Sequence, residues 1–288
     1  MGISQYIKEI GRGPRGSKPL TREQAADLFG QLLDGNVTDL EIGAFCLAMR
    51  IKGETAPEMA GFLDATHQRL ALFPASDRPV IVLPSYNGAR KLPVLTPLLA
   101  LLLAREGLPV LLHGMRTEAR RTLASDVLLA LGVPALTAPE KIATGSVAHI
   151  ETGYLHAALA RLLKVREVVG LRNAGHSIVK LMNPCAGPAV VVTSYTHPEY
   201  YDMLQATFGA LHMTALLSRG LEGEVATDPR RTPRYDAFVA GVHQLLQEQQ
   251  PGTAADVPGL PTEIDIDTTA RHTQDAPPGR PPPPPPPA

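Results

Sequence analysis

From Val80 onward, short aliphatic runs alternate with apolar segments of helical length, and this alternation constrains the fold more than any other feature of the chain. The predicted strands are 80–83, 109–113, 168–171, 189–194 and 212–217. Predicted helices separate several of them, notably around 122–131 and 199–211. Repeated alternation of this kind is typical of an α/β domain with a mainly parallel sheet.

The first 70 residues carry the apolar period of short helices instead. Thr21 is followed three residues later by Gln24, a capping-box pattern that opens a helix running to Leu33. Further helices are predicted over 39–52 and 56–72. We therefore predict a small helical domain over residues 1–73 and a larger α/β domain over residues 74–249.

The last part of the chain, residues 250–288, differs in composition from the rest. It is acidic, rich in Pro, Thr, Asp and Gly, and ends in a proline run at 281–287. Such a composition buries little apolar surface, and the proline run favours polyproline II. A disordered C-terminal tail is the expectation.

Composition excludes several classes of protein. The chain of 288 residues is 44% hydrophobic, which suffices for a sizeable core, and its formal net charge is only −1. Its two cysteines have no CxxC spacing, which argues against a disulfide scaffold or a zinc site. No secretory signal is present, and the longest apolar run, 92–104, is too short to cross a bilayer. We expect a soluble cytoplasmic protein without membrane contacts.

The octet Pro84-Ser-Tyr-Asn-Gly-Ala-Arg-Lys91 lies between a predicted strand and the apolar run 92–104. If that run begins a helix near Pro93, the helix N-terminus offers free backbone N–H groups to an anion. Asn87, Gly88, Arg90 and Lys91 then form a predicted phosphate-binding turn. The alternative is that the octet is only a connection, since Asn-Gly turns with basic neighbours are common in α/β proteins.

Six motifs resemble the anthranilate phosphoribosyltransferase-like superfamily (glycosyltransferase family 3), and most closely a divergent YbiB-type group described as nucleic-acid-binding proteins. The motifs are Ile7-Lys-Glu-Ile-Gly-Arg-Gly13, Met49-Arg-Ile-Lys-Gly-Glu54, the octet, Leu111-Leu-His-Gly114, Thr196-His-Pro-Glu-Tyr200 and Gly220-Leu-Glu-Gly-Glu-Val225. The resemblance covers residues 3–235 and implies a homodimer formed through the N-terminal helices. Because such proteins continue well beyond residue 236, it also implies a truncated α/β domain.

The resemblance fails at the motifs that bind phosphoribosyl pyrophosphate. The Gly-Thr-Gly-Gly-Asp turn of the enzymes falls on residues 83–87, which contain no glycine, so close backbone approach to a diphosphate is lost. Of the following Asn-x-Ser-Thr, only Thr96 is retained, and Lys-His-Gly becomes Leu112-His113-Gly114. We assign no catalytic residue and expect no cofactor, with Mg²⁺ only if the chain is a transferase. Glu222 and Glu224 replace the metal-binding Asp-Glu pair as weaker metal candidates or as residues of a solvated loop.

Cations are present where the enzymes do not need them. Arg166 falls on the arginine that holds the aromatic acid in the enzymes, with a structural ion pair as the alternative. The predicted nucleic-acid or phosphate ligands are Asn87, Gly88, Arg90, Lys91, His113, Arg116, Arg166, Arg172 and Lys180, with Lys8, Arg12 and Arg15 extending the positive surface. Strand ends of an open α/β sheet form the usual ligand crevice, so several of these cations can track successive phosphates. Tyr86, Tyr195 and Tyr200 are candidates for base stacking or for core packing.

These features favour sequence-independent binding of DNA or RNA by a chain that is not an enzyme. The alternative is a transferase that joins phosphoribosyl pyrophosphate to an aromatic acceptor. A third reading is a protein-interaction module or a damaged copy of the superfamily.

Overall fold

Four helices form the N-terminal part of the computed structural model, which describes residues 2–13, 15–252 and 259–276. They are α1 (Ser4–Ile10), α2 (Arg22–Leu33), α3 (Asp39–Lys52) and α4 (Ala56–His67). The predicted capping box at Thr21 and Gln24 is present, and α3 is found where it was predicted. Phe29, Phe45 and Phe62 pack in the centre of the bundle with ring centroids 5.1–6.2 Å apart.

The fourth helix ends earlier than the apolar pattern predicts, at His67 rather than at residue 72. Beyond it the chain turns to pair with a distant segment, because the Phe73 N–H donates to the Pro184 carbonyl at 2.8 Å. Phe73 is fully buried there. A long-range contact therefore overrides the local helical period.

Eight strands form one sheet with the order β3-β4-β2-β1-β5-β6-β7-β8. They are β1 (Val80–Ser85), β2 (Val110–Gly114), β3 (Ala135–Leu136), β4 (Val147–Glu151), β5 (Ala189–Tyr195), β6 (Ala215–Arg219), β7 (Tyr235–Val239) and β8 (Val242–Gln247). Pairing is parallel from β3 through β6 and antiparallel for β7 and β8. The predicted α/β class, with a small helical domain and a mainly parallel sheet, is confirmed.

Helices connect the strands and cover the sheet. They are α5 (Thr96–Arg105), α6 (Ala124–Ala130), α7 (Thr152–Leu155), α8 (Ala157–Val169), α9 (Gly175–Ile178), a 3₁₀ turn (Pro198–Tyr200), α10 (Tyr201–Ala210) and α11 (Ile266–Asp275). The predicted strand 168–171 is wrong: α8 runs to Val169, and Gly170, with φ of 75°, ends it in the left-handed conformation that glycine adopts readily. Within the described ranges, no helix is long and apolar enough to cross a membrane.

The direction of the connections reverses at β1. The chain leaves β1 for β2 on one side, and later returns from β4 to β5 on the other side. In open α/β sheets such a reversal leaves a crevice outside the carboxyl ends of the strands, where ligands bind. The carboxyl ends of β1 and β5 are therefore the place to search for a site.

Part of the segment expected to be disordered is a helix, α11. The Asp265 side chain accepts the Thr268 N–H at 2.8 Å and caps its first turn. Ala270 is buried in one apolar cluster with residues of α6, and the hydroxyl of Thr122 donates to the Ile264 carbonyl at 2.6 Å. The expectation of disorder is wrong for this stretch, because its buried face consists of small Ala and Thr side chains that a hydropathy pattern does not reveal. The proline run at 281–287 lies outside the described residues.

The packing of α11 can be tested with a matched pair of substitutions. Ala270→Glu should lower the free energy of unfolding by about 2 kcal/mol or more, because it places a carboxylate without a partner in an apolar cluster. Arg271→Glu at the exposed neighbouring position should change it by less than about 0.5 kcal/mol. Urea denaturation measures both values, and equal effects would contradict the docked helix.

Candidate nucleic-acid interface

A cleft of about 370 Å³ opens between α3 and the carboxyl end of β5. Met49 and Arg50 of α3 form one wall, and Thr193, Ser194 and Tyr195 of β5 form the opposite wall. The segment around α9 closes the floor and brings Arg172, Asn173, His176, Ser177, Lys180 and Leu181 into the lining. The cleft thus lies at the carboxyl end of β5, one of the two strands at which the topology predicts a crevice.

Arg172 and Lys180 give the cleft a positive charge. Both are half-buried, and burial, reinforced by the charges of Arg166 and Arg121, lowers the pKa of Arg172 to about 10. Burial also lowers the pKa of Lys180 to about 8, against the opposing effect of Glu224. In the part of the chain that the structure describes, Arg172 has neither an ion pair nor a hydrogen bond. A guanidinium desolvated without an ion-pair partner favours an anionic ligand.

Three buried polar atoms in the cleft lack a partner among the described residues: His176 Nε2, Thr193 Oγ1 and Ser194 Oγ. Buried polar groups in folded proteins are normally hydrogen-bonded. Burial lowers the pKa of His176 to about 3, so its imidazole is neutral at pH 7. These three groups therefore offer neutral hydrogen-bonding positions beside the two cations.

Pro84 and Ser85 of the octet end β1, and the remaining residues form a loop that does not lead directly into a helix. The predicted helix start at Pro93 is wrong, since α5 begins at Thr96. The Asn87 and Gly88 N–H groups donate to Glu224 Oε1 at 2.9 and 2.8 Å. The Arg90 and Lys91 N–H groups donate to Glu222 Oε2 at 3.0 and 2.9 Å. The backbone donors predicted to bind phosphate are thus bound to carboxylates of the same chain.

Glu222 and Glu224 accept hydrogen bonds from groups of the same chain. Glu224 is only 4% exposed, and its Oε2 also accepts the Ser85 hydroxyl at 2.6 Å and the Thr96 hydroxyl at 3.1 Å. The expectation of a solvated loop is therefore wrong for Glu224. Both oxygens of Glu224 and the Oε2 of Glu222 already accept N–H or O–H groups, so the pair does not offer the set of free oxygens that Mg²⁺ needs. No group of three or more metal-ligating side chains occurs within residues 2–13, 15–252 and 259–276.

The side chains of Arg90 and Lys91 are exposed at the carboxyl edge of the sheet, just beyond β1. The Arg90 Nε lies 3.8 Å from Glu222 Oε1, and 60% of its side chain is exposed. Neither residue belongs to the lining of the cleft. They provide positive charge on the same edge, outside the cleft.

Tyr86 and His113 are core residues. The Tyr86 hydroxyl lies 2.9 Å from His113 Nδ1 and 2.8 Å from the Thr152 hydroxyl. His113 is fully buried, which lowers its pKa to about 3. The predicted phosphate contact of His113 and base stacking of Tyr86 do not fit this structure, because neither side chain is accessible. Tyr195 and Tyr200, by contrast, line the cleft.

Arg116 and Arg166 are engaged in ion pairs. Arg116 pairs with Asp126 and donates to the Arg121 carbonyl at 2.9 Å. Arg166 pairs with Glu118 at 3.2 Å, as the structural alternative predicts, and Arg121 lies 3.0 Å from the same carboxylate. The two arginines, Arg121 and Arg166, carry two positive charges against the single negative charge of Glu118. The three side chains together therefore keep a positive potential at the neighbouring Arg172.

Lys8, Arg12 and Arg15 are exposed at α1 and the segment that follows it. Arg12 pairs with Glu9 at 2.9 Å. None of the three lines the cleft. Their binding role stays a prediction, as do the roles of Arg90 and Lys91.

Sequence reasoning missed four cleft residues: Arg50, His176, Thr193 and Ser194. Arg50 belongs to the motif 49–54, one of the six that carry the resemblance, and membership of this motif could have marked it as a candidate. The other three have no spacing or composition that marks them, because the fold alone brings α9 next to β5.

Comparisons with known proteins agree with this architecture. Residues 4–69 match the glycosyl transferase family, helical bundle domain. Protein YbiB of Escherichia coli strain K12 is 37% identical over 278 residues, covering 94% of this chain and 86% of YbiB. The anthranilate phosphoribosyltransferase of Methylobacterium nodulans is 32% identical over 231 residues, covering 78% of this chain and 67% of the enzyme.

A solved structure gives the same fold. The anthranilate phosphoribosyltransferase of Thermus thermophilus superposes with a TM-score of 0.72 at 22% identity, over 93% of this chain and 80% of the enzyme. The bundle and sheet thus have the architecture of these transferases. The chain belongs to the anthranilate phosphoribosyltransferase-like superfamily, in the family that includes YbiB.

Proposed function

We propose that the chain binds nucleic acid without sequence specificity, with backbone phosphates in the cleft between α3 and β5. One observation carries the proposal: Arg172 is desolvated in this cleft and has no ion-pair partner among the described residues. Lys180 and the exposed Arg50 provide further positive charge beside it. Partial burial strengthens the attraction of such cations for phosphate, because the local dielectric is lower than in water.

The surroundings of the cleft suit a polymer better than a single small anion. Arg90 and Lys91 continue the positive charge along the carboxyl edge of the sheet. Tyr195 and Tyr200 offer aromatic rings on which bases can stack. Phosphate contacts that dominate affinity carry no sequence information, so binding should depend on salt and little on sequence.

The transferase alternative is consistent with the fold of the relatives, but the site does not favour it. The backbone donors at the end of β1 already bind Glu222 and Glu224. A diphosphate would need both carboxylates to leave. We therefore propose binding without catalysis, and no metal or other cofactor.

We also propose that α3 forms a homodimer contact with a second copy of the chain. Leu40, Leu47 and Ile51 are 82%, 43% and 64% exposed, and their spacing places them on one face of the helix. An exposed apolar stripe of this kind is typical of an interaction surface.

The nucleic-acid proposal predicts the effects of three variants. Arg172→Ala and Arg90→Ala/Lys91→Ala should each weaken binding of a labelled oligodeoxyadenylate by about 10-fold at low salt, and each lost contact should reduce the salt slope by about 0.7. The control is Arg105→Ala/Lys141→Ala, which removes two exposed cations remote from the carboxyl edge. Fluorescence anisotropy measures all affinities. Wild-type affinity in Arg172→Ala would refute the cleft as the site.

The low pKa of Lys180 predicts a pH dependence. Its ammonium group is charged below about pH 8 and loses its proton above that value, so phosphate affinity should fall as the pH rises. We expect a decrease of at least about 3-fold between pH 7 and pH 9. Lys180→Met should bind more weakly at pH 7 and lose this dependence. An equal pH dependence in both proteins would show that another group is responsible.

The dimer proposal is tested by light scattering. The wild-type chain should have the mass of a dimer, and Leu47→Glu/Ile51→Glu should be monomeric because each interface would bury unpaired carboxylates. Leu129→Glu changes a residue that is 62% exposed on α6, and it should remain dimeric. A monomeric wild-type chain would refute the proposal.

A further inference from the structure

The carboxylates of Glu222 and Glu224 occupy an oxyanion-binding cradle at the end of β1. We define the cradle as the donors in residues 85–96 that contact them, and the acidic loop as residues 221–225. Four backbone N–H groups and two hydroxyls of the cradle donate to the two carboxylates, at 2.6–3.1 Å. Converging backbone N–H groups of this kind are the usual means by which proteins bind phosphate oxygens.

The acidic loop has a backbone shaped for this contact. Glu222 has φ of 53°, a value that residues other than glycine rarely adopt, and Gly223 has φ of 84°. A Cβ at Gly223 would lie 1.6 Å from Asn87 Nδ2, so the loop can approach the cradle only without a side chain there. The Asn87 amide donates to the Glu222 carbonyl at 2.9 Å, and Lys180 Nζ donates to the Gly223 carbonyl at 2.7 Å. Backbone and side-chain contacts together hold the loop in place.

Backbone N–H and hydroxyl donors bind phosphate oxygens as well as carboxylate oxygens. Each carboxylate presents two oxygens, whereas a phosphoryl group presents three in a tetrahedral arrangement. The same N–H groups that bind Glu224 can therefore bind a phosphoryl group in its place.

We propose that the acidic loop is an internal competitor for oxyanions, and that phosphate or diphosphate binds each set of cradle donors only when the carboxylate bound to that set, Glu224 or Glu222, leaves it. The native contacts of the loop and the binding of an external anion are mutually exclusive, because both use the N–H groups of Asn87, Gly88, Arg90 and Lys91. The proposal does not depend on nucleic-acid binding in the cleft, since it concerns a different set of donors.

The test uses inorganic pyrophosphate as the probe, without added metal and at constant ionic strength. Glu224→Ala removes the carboxylate that binds the Asn87 and Gly88 N–H groups and leaves room for the anion. Its affinity for pyrophosphate, measured by calorimetry, should exceed that of the wild-type chain by at least about 10-fold, the gain expected from one or two charge-assisted hydrogen bonds. Pyrophosphate should also shift the amide NMR signals of Asn87 and Gly88 in this variant and not in the wild type.

Glu106→Ala is the control, since it removes an exposed acidic side chain that belongs neither to the cleft lining nor to the cradle. It should bind pyrophosphate like the wild type. If both variants gain affinity equally, the gain comes from net charge and the proposal is refuted. A folded Glu224→Ala that binds no more tightly than the wild type, or whose Asn87 and Gly88 signals do not shift, also refutes it.

Glu222→Ala provides a second, independent test, which still applies if Glu224→Ala does not fold. Its side chain is 12% exposed, and its removal frees only the Arg90 and Lys91 N–H groups. It should gain pyrophosphate affinity with shifts at those two amides, and an unchanged affinity in the folded variant would overturn the proposal. Failure of Arg172→Ala to weaken oligonucleotide binding would leave these results unaffected, so the two proposals fail separately.

Discussion

The Glu224 carboxylate is the contact on which the carboxyl edge of the sheet depends. Glu224 follows β6, yet its partners lie between the end of β1 and the start of α5. The contact therefore crosses the end of β5, the strand between β1 and β6. A buried carboxylate is stable only if its oxygens are hydrogen-bonded, and here the donors come from two backbone N–H groups and two hydroxyls. Removing the donors would leave a buried carboxylate without hydrogen bonds, and removing the carboxylate would leave buried donors without an acceptor. Each side therefore fixes the position of the other.

This arrangement explains how the fold can accommodate residues 83–87, which lack the glycines of the Gly-Thr-Gly-Gly-Asp turn. The relatives and this chain share the bundle and the sheet, whereas Tyr86 of this chain points into the core and bonds to His113. The loop then depends on the acidic pair to satisfy its N–H groups. The cleft, by contrast, contains Arg172, which has no ion-pair partner among the described residues.

The sequence predicted the fold well where local patterns decide it. The capping box at Thr21 located α2, the apolar period located α3, and aliphatic runs located most of the parallel strands. The prediction failed at 168–171, because a short apolar run has the same pattern in a strand as at the end of a helix. It failed at α11 because small side chains form the buried face.

The candidate site was less predictable, for a physical reason. Arg172 and Lys180 were predicted to lie near strand ends, and both line the cleft. The reason for placing Arg172 there, a strand over 168–171, was wrong, since Arg172 follows α8. However, the partners of Asn87 and Gly88 lie 137 and 136 positions away, and no local pattern encodes such a pairing. The burial of His113 likewise follows from its place in the sheet and not from its neighbours in sequence.

Gly223 occupies a position at which the structure accepts no side chain. Any side chain there would collide with the Asn87 amide and approach the Lys180 ammonium. The acidic pair therefore works only as a triplet with a glycine between two glutamates. An acidic-glycine-acidic triplet, combined with the absence of the Gly-Thr-Gly-Gly-Asp pattern at the end of β1, is a signature by which other chains whose carboxylates bind the donors of this turn can be recognised from their sequences.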